Sequence, residues 1–197
     1  PHREDQRPHV ARSVEHRVIE HHRNQGRSPP SRAPCHAAPM SELVDGGIFG
    51  PGQPCFGCSP EHPAGFRLRF AREGDDVVTH FTPTERYQGP PSIMHGGLVA
   101  TLADEIGAWA LILLLEKFGF TAEMQCKLRR PIRVGVEVVG RGRIARPGAR
   151  VVGVEVELLQ DGVRAFEGDL RFVLLDRRGA ERLLGGPLPP AWERFAR

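Results

Sequence analysis

The chain contains 197 residues, which is enough for one domain with a full hydrophobic core. Its formal net charge of +3 is unevenly distributed, because residues 1–39 contain seven Arg and four acidic residues. The remaining residues contain 20 basic and 20 acidic side chains, so they carry no bulk charge that would favour nucleic-acid binding. No stretch approaches the roughly 18 uninterrupted apolar residues typical of a membrane-spanning helix, so we expect no membrane partner.

Residues 1–39 have the composition of a disordered arm, since they are rich in Arg, His, Pro and Ser and poor in large apolar residues. Six of the nine histidines lie here, but no ligand spacing repeats, so we expect no metal site. The sequence from Met40 onward looks like an ordinary protein start. We therefore interpret residues 1–39 as a dispensable arm or as over-extended translation, followed by an irregular lead-in over residues 40–65.

The lead-in contains Cys55 and Cys58, which have the spacing of half a zinc site or of a redox pair. A structural zinc ion needs four ligands, and Cys35, Cys126 and His62 do not form a second ligand pair. A redox pair normally opens a helix, whereas prolines follow here. We favour a turn packed against the domain. With few cysteines and no apolar signal segment, we expect reduced thiols and a cytoplasmic protein.

Alternating apolar residues predict six strands around one helix. Their ranges are 66–70 and 78–81 before the helix, and 121–130, 134–144, 150–159 and 163–175 after it. We expect the last four to form an antiparallel meander. An α+β fold, with one curved antiparallel sheet wrapped around one long helix, would bury every apolar face. We place this domain at residues 66–175, followed by an irregular C-terminal extension (176–197) that Trp192 and Phe195 attach to the body.

The central helix is predicted from Gly97 to about Lys117, because this segment contains strong helix formers and no proline. It is apolar on all sides, as is typical of a helix that other elements enclose. It nevertheless contains Asp104 and Glu105, and a buried carboxylate requires a partner or a cleft. Glu105 points about 100° away from Asp104 around the helix, and we interpret it as structural.

His95, Gly96 and Gly97 stand at the start of this helix. The N–H groups of a first helical turn, together with the positive end of the helix dipole, can stabilise an oxyanion. A carboxylate and an oxyanion-binding site are the minimum that acyl transfer needs. The segment therefore predicts acyl-transfer chemistry.

These residues resemble the hotdog-fold acyl-CoA thioesterases, most closely the phenylacetate-pathway and thioesterase-superfamily-member type. The resemblance covers about residues 50–175. It depends on the run 87–104, on Thr-Ala-Glu at 121–123 and on Arg-Arg-Pro-Ile at 129–132. The Cys-Phe-Gly-Cys segment and the Gly-Phe-Arg-Leu that follows it are also similar to the lead-in of many such proteins.

The resemblance implies that Asp104 is the catalytic acid, acting as general base on water or as nucleophile on the thioester carbonyl. The Gly96 N–H would polarise that carbonyl, His95 would shape the turn, and Thr121 would help to position the water. The residues implied to contact the substrate or its CoA part are Gln88, Gly97, Lys127, Arg129 and Arg150. Some family members carry an Asn where this chain has Gly89, and we expect the neighbouring Gln88 to supply the missing amide.

The spacing of Gly96 and Asp104 indicates a site shared between two copies of the chain. Eight residues of α-helix span about 12 Å. One thioester carbonyl cannot contact both groups in a single chain, so an acid that acts about 3 Å from the oxyanion site must come from a second copy. The family is also known for dimers with shared sites. We therefore expect a homodimer or a homotetramer.

We predict a hydrolase that cleaves an acyl-CoA into a carboxylic acid and CoA, with no metal or other cofactor, because the thioester is already an activated carbonyl. The alternative is a hotdog module that binds acyl-CoA without turnover, as a ligand sensor. A hydratase is a weaker third option, because that chemistry uses an Asp with a downstream His. Leu111, Leu114 and Phe118 are candidates for an acyl tunnel, which favours medium-chain or aromatic substrates in lipid metabolism.

Overall fold

The computed structural model describes residues 42–196, so the interpretation of residues 1–39 lies outside the described range. The strands are β1 (Phe70–Glu73), β2 (Asp76–Phe81), β3 (Gly119–Leu128), β4 (Val138–Arg146), β5 (Val151–Gln160) and β6 (Val163–Leu174). The helices are α1 (Gly96–Ala110), continued by a π-helical turn (Leu111–Leu115), and α2 (Arg177–Leu184). Short 3-10 turns lie at Gly46–Phe49, Glu85–Tyr87 and Pro190–Phe195. The six strands form one antiparallel sheet, which confirms the predicted α+β fold.

The predicted meander of the last four strands is wrong at its first step. The sheet order is β1-β2-β4-β5-β6-β3, so β3 pairs with β6 at the edge of the sheet and not with β4. Residues 129–137 cross over between them, and the buried Gln160 holds this connection. Its amide donates to the carbonyls of Arg133 (3.1 Å) and Val136 (3.0 Å) and accepts from the Arg133 N–H (2.9 Å). Sequential strands are usually neighbours, and this pair is an exception.

Helix α1 packs against the inner face of the sheet, because the three-or-four spacing places its largest apolar side chains on one side. Leu102 and Ile106 are fully buried, and burying each such side chain contributes about 1.5–3 kcal/mol. Strand β4 approaches the helix closely because Gly140 has no side chain. A Cβ at that position would lie 2.4 Å from Ile106 Cδ1. The predicted packing of the sheet against this helix is therefore confirmed, although one stripe of the helix stays incompletely covered.

The segment Gly96–Leu115 is long and apolar enough, by length and composition alone, to cross a membrane. It is not an uninterrupted apolar run, because Asp104 and Glu105 lie within it. Half of the segment is buried inside the structure, against the sheet. A core helix passes the same test, so its packing accounts for the apolar composition.

The first strand begins at Phe70, four residues later than the alternation predicts. Phe66 and Leu68 do face the core, as predicted. Their N–H groups, however, donate to the carbonyls of Phe56 and Gly57, both at 2.9 Å. This segment therefore attaches the Cys-Phe-Gly-Cys loop to the domain instead of lengthening the sheet.

The C-terminal residues are more regular than the irregular extension that the sequence predicts. Helix α2 follows Asp176, whose side chain accepts a hydrogen bond from the Gly179 N–H at 2.7 Å, and ends at Gly185 in the left-handed conformation. Both are common helix-end signals. The predicted attachment is confirmed, because Phe195 is buried and the Trp192 indole donates to a carbonyl of the lead-in at 3.1 Å.

Candidate active site

The N-terminus of α1 is capped by His95. The side-chain Nδ1 of His95 accepts a hydrogen bond from the Gly97 N–H at 3.0 Å, and the backbone N–H of His95 donates to the Tyr87 carbonyl at 2.8 Å. Gly96 is the first helical residue, and N–H groups of a first turn have no carbonyl partner within the helix. Gly96 is an exposed residue, and its N–H is one of these groups. The N–H of Gly97, also predicted to contact substrate, is already used by His95.

The loop before the helix gives Gln88 a structural role. Its Oε1 accepts a hydrogen bond from the Ser92 N–H at 3.2 Å, and Ser92 has a left-handed backbone with φ of 65°. At the neighbouring position, a Cβ on Gly89 would lie 3.3 Å from the Cα of His95. Glycine thus lets the loop lie close against the helix cap. The amide contact predicted for Gln88 stays a prediction.

Asp104 and Thr121, two of the predicted catalytic residues, lie together. The Thr121 hydroxyl on β3 donates to Asp104 Oδ1 at 2.7 Å, and both residues are partly buried. Burial raises the pKa of the Asp104 carboxyl above its ordinary value, and the Thr121 hydrogen bond acts in the opposite direction. The register of β3 against β6 shifts between Thr121 and Glu123, and such bulges often redirect side chains beside functional sites.

Gly96 and Asp104 lie at different ends of β3 within one chain. Thr121, near the start of β3, contacts Asp104, whereas a Cβ on Gly96 would lie 3.4 Å from Leu128 Cδ2 at the other end of that strand. Along α1 the two residues are separated by about 12 Å. The oxyanion site and the carboxylate of one chain therefore do not converge on one reacting atom.

An incompletely covered surface lies beside this carboxylate. Gly97, Thr101, Asp104 and Ala108 follow helical spacing along one stripe of α1, and each is exposed or partly buried. The adjacent β3 is an edge strand, on which Phe120 and Leu128 are 50% and 54% exposed. An unpaired edge strand with exposed apolar side chains is a surface suited to pairing with another chain.

The predicted CoA-binding side chains Lys127 and Arg129 lie near each other and share one partner. Arg129 donates to Glu167 Oε1 at 2.5 Å, and Lys127 Nζ lies 3.7 Å from the same oxygen. The Arg129 hydrogen bond holds the pKa of the Glu167 carboxyl below its ordinary value. Arg150 lies apart from them, just before β5, and is exposed. The structure thus brings together two of these three basic residues.

A groove of about 580 Å³ lies on the side of the sheet that carries its charged residues. Arg143 pairs with Glu155 and Arg164 pairs with Glu157 along this groove, and Lys127 also lines it. Its lining does not include Asp104, Thr121 or Gly96. Apolar acyl groups bind in mainly apolar pockets, so this charged groove does not fit an acyl chain.

A second cluster lies beside the candidate site, and the sequence analysis did not find it. Cys55, Cys58 and Glu105 bring their sulfur and carboxylate atoms within 4.8 Å of one another. Cys55 Sγ lies 2.8 Å from Glu105 Oε1 in a hydrogen bond. Gly57 permits this approach, because a Cβ there would lie 2.1 Å from Glu105 Cγ. The interpretation of Cys55 and Cys58 as a turn against the body is correct but incomplete.

The electrostatics of this cluster depend on its burial. Burial raises the pKa of Glu105 to about 9, and the neighbouring Cys55 and Asp104 act in the same direction. A hydrogen bond with Cys58 lowers the pKa of Cys55 to about 5, whereas the same bond and burial raise the pKa of Cys58. The pKa values of the two thiols are thus shifted in opposite directions, and that of the Glu105 carboxyl is shifted upward. In the sequence, only two separate features indicate this cluster: a Cys-x-x-Cys pair, and an acid in an apolar helix fifty residues later.

Comparison with known proteins identifies the domain that carries these residues. Residues 92–166 match the family model described as the thioesterase superfamily. No curated protein shows a significant match to the chain. A solved thioesterase superfamily protein is 26% identical with a TM-score of 0.55, and the match covers 58% of this chain and 57% of that protein's length.

Two further solved structures share the fold. A hypothetical thioesterase from Streptococcus pneumoniae, solved with coenzyme A, is 16% identical over 54% of this chain and 87% of its own, with a TM-score of 0.51. A putative thioesterase from Ralstonia eutropha, described as phenylacetic acid degradation-related, is 21% identical over 55% of this chain and 85% of its own, also with a TM-score of 0.51. These two likenesses concern the fold alone. Residues 92–166 thus match the thioesterase superfamily, and the fold around them is the hotdog fold of these solved structures, as the sequence resemblance implied.

Proposed function

We propose that this protein hydrolyses an acyl-CoA thioester to a carboxylic acid and CoA. The observation that carries the proposal is the partly buried Asp104 carboxylate, held by the Thr121 hydroxyl at 2.7 Å on the uncovered side of a thioesterase-superfamily domain. A carboxylate held in this way can take a proton from water or attack an activated carbonyl. The proposed reaction uses no cofactor, since CoA is part of the substrate.

The proposed mechanism combines groups from two copies of the chain. The Gly96 N–H, at the positive end of α1, would donate to the thioester oxygen and stabilise the negative charge that develops there. As a general base, Asp104 of the second copy would take a proton from the water that attacks the carbonyl and return it to the departing CoA thiolate. As a nucleophile, it would displace the CoA thiolate and form an anhydride, which water would then cleave to release the acid, regenerate the carboxylate and supply the proton for the thiolate. The stripe of α1 and the β3 edge provide the surface for such pairing. We therefore propose a homodimer, or a tetramer built from such dimers.

Binding of the CoA part is proposed for the exposed basic side chains Lys127, Arg129 and Arg150, with Gln88 and Gly97 closer to the reacting end. Phosphates favour Arg and Lys partners, and Glu167 keeps two of these side chains near each other. The structurally similar Streptococcus pneumoniae protein was solved with coenzyme A, which supports this class of ligand.

Medium-chain or aromatic acyl groups remain the proposed substrates. Of the predicted tunnel residues, Leu111 is buried in the core and Phe118 packs against Trp192, with ring centroids 5.0 Å apart. Leu114 is partly buried and is the remaining candidate for an acyl contact. The described cysteines are free thiols, in keeping with the proposed cytoplasmic location.

Release of free CoA thiol from short, medium, long and aromatic acyl-CoAs tests this function. We expect turnover by the protein and a loss of at least about a hundredfold in kcat for Asp104→Asn, which removes the base but keeps the side-chain shape. Asp75→Asn, in the exposed β1–β2 turn, is the matched control and should keep full activity. Saturable acyl-CoA binding by both proteins without turnover would contradict hydrolysis and support the sensor.

A further inference from the structure

The cluster of Cys55, Cys58 and Glu105 is built by two distant parts of the chain. The two cysteines belong to the lead-in loop and Glu105 to the second turn of α1, yet their ligating atoms lie within 4.8 Å of one another. Cys58 is 3% exposed, and Cys55 and Glu105 are partly buried. Burying a charged carboxylate beside two thiols is unfavourable unless a positive charge or hydrogen bonds compensate.

The loop is held firmly in the position that this convergence needs. The Ser59 N–H donates to the Cys55 carbonyl at 3.2 Å, and the Gly46 N–H donates to the Cys58 carbonyl at 2.9 Å. Two glycines let the groups approach, because a Cβ on Gly57 would collide with Glu105 and a Cβ on Gly46 would lie 2.9 Å from the Cys58 carbonyl oxygen. Sites whose ligands lie on a supported scaffold bind metals with defined geometry.

We propose that Cys55, Cys58 and Glu105 bind a divalent transition-metal ion, with Zn²⁺ as the best fit, at the junction of the lead-in loop and α1. Two thiolates and a carboxylate are donors that Zn²⁺ accepts, whereas Mg²⁺ and Ca²⁺ prefer oxygen alone. In a tetrahedral zinc site these donor atoms lie roughly 3.3–3.8 Å apart. Cys55 Sγ and Glu105 Oε1 are 2.8 Å apart, and all three donor atoms lie within 4.8 Å of one another. Small side-chain movements therefore complete the site.

Metal binding would displace the thiol protons, because cysteines bind metal ions as thiolates. The three ligands leave a fourth position for water or another donor, on the side where Cys55 and Glu105 are partly exposed. Trp109, one turn beyond Glu105 on α1, supplies a hydrogen bond to the Cys58 side chain, as outer groups around metal ligands commonly do. The sequence-based expectation of no metal, which considered only zinc sites with four protein ligands, is thereby revised.

The role of the ion is to fix α1 to the lead-in loop. Glu105 is the residue after Asp104, so a ligand bond at Glu105 would limit the movement of the helical turn that carries the proposed catalytic carboxylate. The metal would act as a structural and positioning element and would not contact the thioester. This inference stands on the cluster itself and does not depend on the proposed hydrolysis.

Cobalt(II) substitution tests the proposal on the whole chain. After treatment with a chelator and a reductant, the protein is titrated with Co²⁺, and thiolate-to-cobalt charge-transfer absorption is recorded. We expect one thiolate-bound Co²⁺ per chain, displaced by Zn²⁺. Cys55→Ser, Cys58→Ser and Glu105→Gln should each raise the metal dissociation constant at least about tenfold. Cys126→Ser, which changes an exposed cysteine on β3, and Cys35→Ser should leave it unchanged.

A second measurement uses the unaltered protein, so its result does not depend on the folding of variants. Zn²⁺ should slow alkylation of Cys55 and Cys58 in the unaltered protein, read by peptide mass spectrometry, while Cys126 reacts at the same rate with and without the ion. A folded, reduced protein without charge-transfer absorption would overturn the proposal. So would thiolate-to-cobalt absorption that persists without Cys55 and Cys58, which would place the ion on Cys35 or Cys126. Ready formation of a Cys55–Cys58 disulfide without metal binding by the reduced form would identify a redox pair instead.

Discussion

At the scale of single residues, the candidate site depends on side chains that act through hydrogen bonds to their neighbours. His95 caps α1 through its Nδ1, and Thr121 donates to Asp104. Neither side chain needs to react with the substrate to influence catalysis. Their contributions can therefore be separated into stability and turnover by conservative substitutions.

The helix cap gives the first prediction. His95→Ala should lower the free energy of unfolding by about 1 kcal/mol, because the Gly97 N–H loses its side-chain partner, whereas His95→Asn should restore most of that loss. Urea unfolding followed by circular dichroism measures the difference. Equal stability of the three proteins would show that the cap contributes nothing.

The hydroxyl beside the carboxylate gives the second prediction. Thr121→Val keeps the shape but removes the donor to Asp104, and a hydrogen bond to a charged group contributes about 1.5–3 kcal/mol, so kcat should fall at least about tenfold. Thr121→Ser should keep most of the activity. Steady-state kinetics with the best acyl-CoA checks both variants, and an unchanged kcat for Thr121→Val would leave Thr121 as an ordinary strand residue.

The family resemblance predicted that Asp104 and Thr121 both belong to the catalytic site, but it did not predict the hydrogen bond between them. It did not predict the cluster of Cys55, Cys58 and Glu105. A Cys-x-x-Cys pair and a helical acid each look structural on their own. Their convergence depends on how the lead-in loop lies across α1, and that is set by backbone hydrogen bonds to Phe66 and Leu68, which local patterns do not reveal.

At the scale of elements, the site is positioned by the packing of α1 between the sheet and the lead-in loop. Element types and order follow from the sequence, since the 3.6-residue and two-residue periods differ clearly. The order of the strands in the sheet could not be predicted from the sequence, because a nine-residue connection (129–137) permits β3 to lie beside β6 instead of β4. That difference matters for function, since it leaves β3, the strand of Thr121, at an unpaired edge.

The contact of α1 with β4 gives a prediction at this scale. Gly140→Ala should destabilise the protein by about 1–3 kcal/mol, because the new methyl group would lie 2.4 Å from Ile106 Cδ1. Ile106→Val removes that Cδ1 atom. The double variant should therefore be less destabilised than the sum of the two single changes. Thermal and urea unfolding measure the interaction, and simple additivity would contradict the close packing of this pair.

At the scale of the whole molecule, the two halves of the proposed site lie too far apart to act within one chain. Gly96 lies beside Leu128 at one end of β3, and Asp104 lies beside Thr121 near the other. A symmetric pair of chains would supply both halves twice, because an isologous interface repeats each contact. We therefore propose thioester hydrolysis at a site that two copies of the chain share.

Gly96→Pro removes the proposed oxyanion donor with little disturbance. Proline is accepted at the first position of a helix, and His95 before it has φ of −61° and ψ of 130°, which a following proline requires. A Cβ there would make only an ordinary contact, at 3.4 Å from Leu128. This variant should fold normally and lose most of its thioesterase activity.

The most direct test refolds Gly96→Pro and Asp104→Asn chains together in equal amounts and measures acyl-CoA hydrolysis. Each mixed dimer would contain one intact site, made from the unchanged Gly96 of one chain and the unchanged Asp104 of the other. Half of the dimers would be mixed, and each mixed dimer would have one of its two sites intact. Activity should therefore recover to about a quarter of that of the unaltered protein. Each variant refolded alone is the control. A mixture that stays as inactive as its two components would contradict a site shared between copies.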